Sequence, residues 1–473
     1  MRKTLTLLVS ILFSWIPVAH AQSTAPSQPL AFTHVTVIDV VWGRSNADAT
    51  VIIRGGRIIA VAKTGQIAVP KDAQVIDATG KFLIPGLWDM HFHTPDEKDA
   101  REIFYPLALA NGVTGVRNMF GSDSLLKQKA EINKGTVFGP RMVLASEVVD
   151  GPMPTWPGSF SVADASAGRR VVREIKAKGY DFVKVYQFLP RETYLAIVDE
   201  AKKLNIPFAG HVPFSLSATE ASDAGQKSFE HNFGLVLACS TEEDRLRPLL
   251  ADAAANVGKS IEEHIKLFVR NESEPLGSYS EQKAAALFKH LATNGTYVVP
   301  TLVLHRSLAI GPGPKPRDDS RLKYMPPYIR QYFSWELGFF PSWQPVYERM
   351  LSMTGAMHRA GVKILAGTDT FNTYCYPGFS VHDELELFVQ AGMSPVEALQ
   401  TATLNAARYL NLSHAFGTVE QGKIADLVLL DANPLETIGN TRKIAGVVVN
   451  GKYLPGEQLR TMLADVEAIA NKN

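Results

Sequence analysis

From Gly86 to Gly367 the chain alternates short apolar runs with helical stretches. The runs are Gly86–His91, Thr114–Asn118, Arg141–Ala145, Phe182–Val185, Pro207–His211, Ser228–Glu230, Tyr297–Leu302 and Lys363–Gly367. Helical text such as Asp99–Asn111, Arg191–Leu204 and Val346–Ala360 separates them. Strand–helix alternation argues for βα units and a parallel sheet. Eight such units over about 300 residues predict a closed (β/α)8 TIM barrel with insertions. Two connections are long. Leu235–Thr296 reads as partly helical. His305–Trp343 is dense in Pro, Gly and aromatics, including Tyr324, Tyr328, Tyr332, Phe333, Trp335, Phe339 and Phe340. It follows the seventh strand, which places it on the face where barrels carry their sites. It is expected to be a pocket wall or lid, with a subunit interface as the alternative, and its aromatics point to a bulky apolar ligand group.

The flanks read differently. Residues 31–84 are β-like, with Thr33–Ile38, Thr50–Ile53, Arg57–Ala62 and Gln74–Asp77 rich in Val, Ile and Thr. Gly55-Gly56 between two of these runs predicts a hairpin turn. Ser394-Pro395 carries a helix-capping signal, and β text returns after Gly417 in Ala425–Leu430 and Gly446–Val449. Residues 31–84 and 418–460 are therefore expected to build one small β-sandwich domain, leaving 85–417 to the barrel. Residues 1–21 have the layout of a signal peptide: Arg2 and Lys3, an apolar Leu5–Val18, and Ala19-His20-Ala21. The apolar run is shorter than the roughly 20 residues a spanning helix needs. Cleavage after Ala21, a flexible start over Gln22–Pro29, no stable membrane anchor and a periplasmic or secreted location are expected.

Charge is balanced, with 48 Lys and Arg against 47 Asp and Glu, so no footprint for nucleic acid appears. The two cysteines exclude a disulfide scaffold and a Cys-built zinc module. Cys239 and Cys375 follow strands six and eight, on one barrel face, and pairing between them stays open.

Imidazoles and carboxylates gather at strand ends. His91 and His93 close the first strand, and period-2 geometry sends both to one side. His211 ends strand five, His231 follows strand six, and Asp369 follows strand eight. In a closed barrel strand eight lies beside strand one, so Asp369 can join His91 and His93 at one metal. Strands five and six are neighbours, so His211 and His231 can share a second. Lys184 ends strand four and points inward, where an ammonium is costly to bury. One such residue alone is usually a satisfied polar group; the joint pattern predicts a metal site. His264, His290 and His358 fall in polar helical text and read as surface residues, and His382 receives no ligand role.

With these residues in place, the chain resembles the amidohydrolase superfamily, in the branch of imidazolonepropionase-like and prolidase-like enzymes. The matching pieces are Pro85–His93, Val183–Tyr186, Ala209–Pro213, Phe229–His231, Ala366–Asp369, Ser394–Leu399 and Gly422–Val428. The resemblance implies a binuclear centre, zinc by preference. His91, His93 and Asp369 would hold one metal and His211 and His231 the other, with Lys184 bridging as a carbamate formed with carbon dioxide. A free lysine, with a pKa of about 10.4, is a cation; desolvation and nearby metal charge favour the neutral amine that takes up carbon dioxide.

The reaction so implied is hydrolysis of a C–N amide by metal-activated hydroxide, with Asp369 as general base and then acid. Dipeptides, including the Xaa-Pro type, and N-acyl amino acids are the expected substrates. A cyclic amide or lactone, a mononuclear deaminase and a metal-free binding protein are the alternatives. Tyr186, His305 and Arg117 are candidates for the substrate carbonyl or carboxylate, against packing for Tyr186 and His305 and a structural ion pair for Arg117. The native metal and the existence of a homo-oligomer are open from sequence.

Overall fold

The structure, a computed structural model, describes residues 28–472 except 96, 259, 311–317 and 335–340. The signal-peptide reading of 1–21, most of the expected flexible start, and Trp335, Phe339 and Phe340 lie outside the described residues.

Seven parallel strands pair each with the next around a nearly closed barrel. They are Leu87–Phe92, Val113–Asn118, Arg141–Asp150, Phe182–Val185, Phe208–Gly210, Ser228–Glu230 and Tyr297–Val299. The eighth segment closes the ring without a regular ladder. On one side the Val298 amide donates to the Lys363 carbonyl and the Leu365 amide to Val298, both at 3.0 Å. On the other side the Met90 amide donates to Ala366 at 2.8 Å. A side chain replaces part of the ladder: Asp89 accepts from the Thr368 amide at 3.1 Å and from the Thr368 hydroxyl at 2.5 Å. The seventh strand stops short of Leu302, because Thr301 turns the chain at φ +47° and Leu302 already opens the helix Leu302–Ile310.

Gly367 explains how closely strands one and eight approach. A Cβ there would lie 2.5 Å from Val299 Cγ1 and 2.8 Å from the His91 amide nitrogen. Gly367→Ala must push a backbone segment aside, so it should cost about 1–3 kcal/mol of stability, read by denaturant unfolding. A cost near zero would show that the closure is loose.

The two flanks share one hydrogen-bonded sheet. Its order is Lys452–Pro455, Ile444–Val449, Leu427–Leu430, Phe82–Pro85, Leu30–Asp39, Arg44–Arg54, Arg57–Lys63, with Gln74–Asp77 paired to the start of Leu30–Asp39. Period-2 alternation gives it two faces. Leu427 and Leu429 pack with Phe32, Val35 and Val51 in the sheet's own core. Val428 and Leu430 turn the other way and join the barrel's core. The hairpin at Gly55-Gly56 is present, both glycines in the left-handed region (φ +58° and +73°) that a two-residue turn matching strand twist requires.

The connection after strand six folds into helices Leu235–Ala238, Glu243–Ala255, Ile261–Ser273 and Glu281–Asn294. Ser394 and Glu397 form the expected capping box of helix Pro395–Thr401, the Ser394 amide donating to Glu397 at 2.8 Å. Cys239 and Cys375 are buried free thiols, so the structure does not pair them.

Candidate metal centre

The end of the first barrel strand carries Asp89, His91 and His93, two residues apart, and one side of the strand therefore faces the barrel interior. Asp89 ties strand eight in place, as above. His91 and His93 meet Asp369: the Asp369 Oδ1 lies 3.3 Å from His91 Nε2 and 3.0 Å from His93 Nε2. One donor atom from each of the three falls within 4.8 Å of the others. Asp369 sits at φ +57° and its second oxygen accepts from Asn372 Nδ2 at 3.1 Å. Burial opposes its ionisation, but the surrounding histidines hold the carboxyl well below its ordinary range.

His211 and His231 stand beside this trio. The His231 ring centre is 4.3 Å from that of His91 and 5.0 Å from that of His211. Three imidazoles are anchored in the same way. His91 Nδ1 bonds Glu230 at 2.8 Å, His211 Nδ1 bonds Gln187 Oε1 at 2.7 Å, and His231 Nδ1 bonds Thr301 Oγ1 at 2.8 Å. Each bond fixes ring orientation and leaves Nε2 to a common cavity, the arrangement that metal-ligating histidines adopt. Burial, helped by the Lys184 cation, pushes His91 down to about 4 and holds His211 well below its usual range. Burial and the neighbouring His91 do the same to His231. Neutral rings are what a metal requires.

Lys184 is 2% exposed. Its backbone amide donates to Ser146, yet among the described residues no carboxylate bonds its Nζ. Burial pushes its ammonium down to about 8, against the pull of Glu230 and Asp369. An ion-paired structural lysine would look otherwise. Tyr186 packs against His211 with ring centres 4.0 Å apart and the planes tilted by 30°. Trp156 Nε1 donates to its hydroxyl at 2.8 Å, which leaves the Tyr186 proton free to donate into the cavity. These residues line a cavity of about 580 Å3.

Two of the candidate substrate contacts take the structural alternative. Arg117 is fully buried, and every arm of its guanidinium is engaged within the protein. It donates to Glu230 at 2.8 Å, to the Met90 carbonyl at 2.6 Å, to Ser228 at 2.9 Å and to Tyr409 at 2.7 Å. It is the structural ion pair, not a carboxylate anchor in the cavity. His305 uses both ring nitrogens: Nε2 bonds the His231 carbonyl at 2.8 Å, and Nδ1 accepts from Trp343 Nε1 at 3.2 Å. It props the backbone of His231 and keeps no nitrogen for substrate. His264, expected at the surface, is buried and bonds the carbonyls of Ser260 and Met153. Of the described aromatics in the His305–Trp343 connection, Phe333 packs against Tyr374 and Tyr376 and Tyr324 against Phe379, while Tyr328 and Tyr332 are exposed. Tyr332 and Trp343 alone of those described line the cavities.

Sequence reasoning missed Asp89, Glu230, Gln187 and Thr301. Asp89 had a signal, the period-2 spacing to His91 and His93. Glu230 had a weaker one, a carboxylate in a strand otherwise facing a core. Gln187 and Thr301 had none.

Comparison with known proteins identifies the family and the fold. The amidohydrolase family model matches residues 82–454. The imidazolonepropionase of Geobacillus sp. (strain WCH70) is 43% identical over 77 residues, 15% of this chain and 17% of that protein. The match therefore spans under a fifth of that relative's length. A solved bottromycin amidohydrolase superposes with a TM-score of 0.73 at 22% identity, covering 94% of this chain and 91% of the other. A Xaa-Pro dipeptidase with bound methionine in its active site superposes at 0.66 with 19% identity, covering 90% of this chain and 100% of the other. At these identities the likeness shows the fold alone. The family model, by contrast, covers most of the length, and this chain belongs to the amidohydrolase family.

Proposed function

We propose that the protein is an exported metal-dependent hydrolase of a C–N amide bond, acting on a dipeptide of the Xaa-Pro type or on an N-acyl amino acid. One observation carries the reading: three histidines, each anchored through Nδ1, turn Nε2 toward one cavity that also holds Asp369 and a buried Lys184 with no ion-pair partner among the described residues. The donor set fits divalent metal. His91, His93 and Asp369 would hold one ion, and His211, His231 and a carbamate of Lys184 the other, zinc being the best match to nitrogen and carboxylate donors. When bound, the ions supply Lewis acidity to the scissile carbonyl and lower the pKa of water.

The chain's own groups do the rest. Lys184, with its ammonium pushed down, presents enough neutral amine to add to carbon dioxide; an N–C bond forms, one proton leaves, and an anionic oxygen donor results. Asp369 takes the proton of the attacking water and returns it to the leaving nitrogen. Asn372 steadies the oxygen that carries it. The Tyr186 hydroxyl, kept protonated by burial, is placed to donate to the substrate carbonyl oxygen.

The direct test is metal content per chain on protein purified without chelator, with gentle intact-mass measurement for a carbamate. About two metals per chain and a carbamate adduct are expected, with Lys184→Met losing the adduct together with the ion held by His211 and His231. One metal per chain with no adduct would return Lys184 to a structural role. The local match to imidazolonepropionase favours a cyclic amide as the second reading. Ring opening gives one product and dipeptide cleavage gives two, so product mass separates them.

A further inference from the structure

A second chamber of about 290 Å3 opens beside the main cavity. The two share Trp156, Tyr186, His211, His231, Asp369 and Asn372. They therefore meet at the reacting centre. Their walls differ. The main cavity continues over a mixed wall, with Ser122, Asp123 and Glu147 beside Met119, Leu125 and Phe371. The side chamber is walled by Ile261, Ile265, Phe268, Leu304, Leu308 and Trp343.

The wall is built, not incidental. Ile261, Ile265 and Phe268 fall on one face of helix Ile261–Ser273, at the i, i+4, i+7 spacing that normally faces a core. Here that face lines the chamber. Phe268 stacks on Trp343 with centres 5.6 Å apart and meets Phe233 edge-on at 4.2 Å. Phe233 in turn lies 4.7 Å from the His231 ring. On the face formed by helix Ile261–Ser273 and Trp343 the polar groups are engaged: His264 bonds two carbonyls, and Trp343 Nε1 donates to His305; Thr155, Gln187 and Thr373 lie elsewhere on the chamber's lining. A charged or hydrogen-bonding group pressed against this apolar face would lose its water without gaining a partner there. An apolar side chain gains by burial there.

We propose that this chamber is a specificity pocket for a large apolar side chain, aromatic or long aliphatic, on a residue flanking the scissile amide, while the polar part of the substrate occupies the main cavity. The proposal rests on the amide-hydrolase reading above. The test compares Phe-Pro with Ala-Pro, and N-acetyl-phenylalanine with N-acetyl-alanine. In at least one pair kcat/KM should favour the phenylalanine compound about tenfold or more, and Leu308→Trp should erase most of that preference by filling the chamber. Ile261→Trp, at a mouth position that is 45% exposed, is the second variant should Leu308→Trp not fold. A ratio near one in both pairs, or a preference untouched by the filling variants, overturns the pocket. Failure to cleave any of the four compounds speaks against the amide reading instead. The pocket is then judged by calorimetry with free phenylalanine and alanine. Tighter phenylalanine binding that the filling variant removes supports it, and equal binding overturns it.

Discussion

Asp369→Asn should lower kcat by about 10²–10⁴-fold while most of the bound metal stays in place. The substitution keeps the size of the side chain and its place after the eighth barrel segment. It removes the proton acceptor. The four histidines that surround it are untouched, and three of them keep their Nδ1 anchors to Glu230, Gln187 and Thr301. Metal loss and loss of proton transfer can therefore be separated by assaying kcat at saturating metal alongside metal content. The two oxygens of Asp369 already differ: Oδ1 faces His91 and His93, and Oδ2 is held by Asn372. One oxygen is thus available as a metal donor and the other as the proton carrier. A variant with full metal and nearly normal kcat would remove Asp369 from proton transfer and move attention to a different base. A variant that loses metal and activity together, and regains activity when metal is restored, would assign Asp369 to binding alone.

The barrel was legible because strand–helix alternation survives in plain sequence. The two histidines of the first strand were legible because a strand's period is two. Partners were not. Arg117 reads identically as a substrate anchor or as a buried cation, and only the fold brings Glu230, Ser228 and Tyr409 around it. His305 stands where a substrate contact is expected, but its nitrogens are taken by residues 38 and 74 positions away. Helix Ile261–Ser273 shows the same limit. Its apolar stripe announces a buried face, and periodicity is silent on whether a core or a cavity lies opposite. His264 sits on that stripe, which is why polar helical text around it misled toward the surface. The eighth segment follows the seventh strand as its sequence position suggests, yet it forms no regular strand, and Asp89 replaces part of its ladder, a side-chain contact that no propensity encodes.

Glu230→Gln should destabilise the fold by roughly 3–5 kcal/mol and weaken metal binding about 10–100-fold. Glu230 and Arg117 are both 0% exposed and share bonds of 2.8 Å. Burial opposes ionisation of Glu230, and the Arg117 guanidinium overrides it, holding the carboxyl well below its ordinary range. Removing the carboxylate leaves a guanidinium in the barrel with no counter-charge. That is costlier than the pair itself was favourable, since breaking a buried pair exposes the full desolvation penalty of the survivor. The double variant Arg117→Leu/Glu230→Gln should recover part of the loss, because the orphaned cation is gone. Denaturant unfolding of both variants reads this coupling. The second effect runs through His91, whose Nδ1 bonds the same carboxylate. Glutamine can still accept that hydrogen bond, but without charge it orients and polarises the imidazole less. A single variant that loses under about 1 kcal/mol would show that water or Tyr409 already screens Arg117. A large stability loss with unchanged metal affinity would separate the two roles and leave Glu230 as a structural counter-ion only.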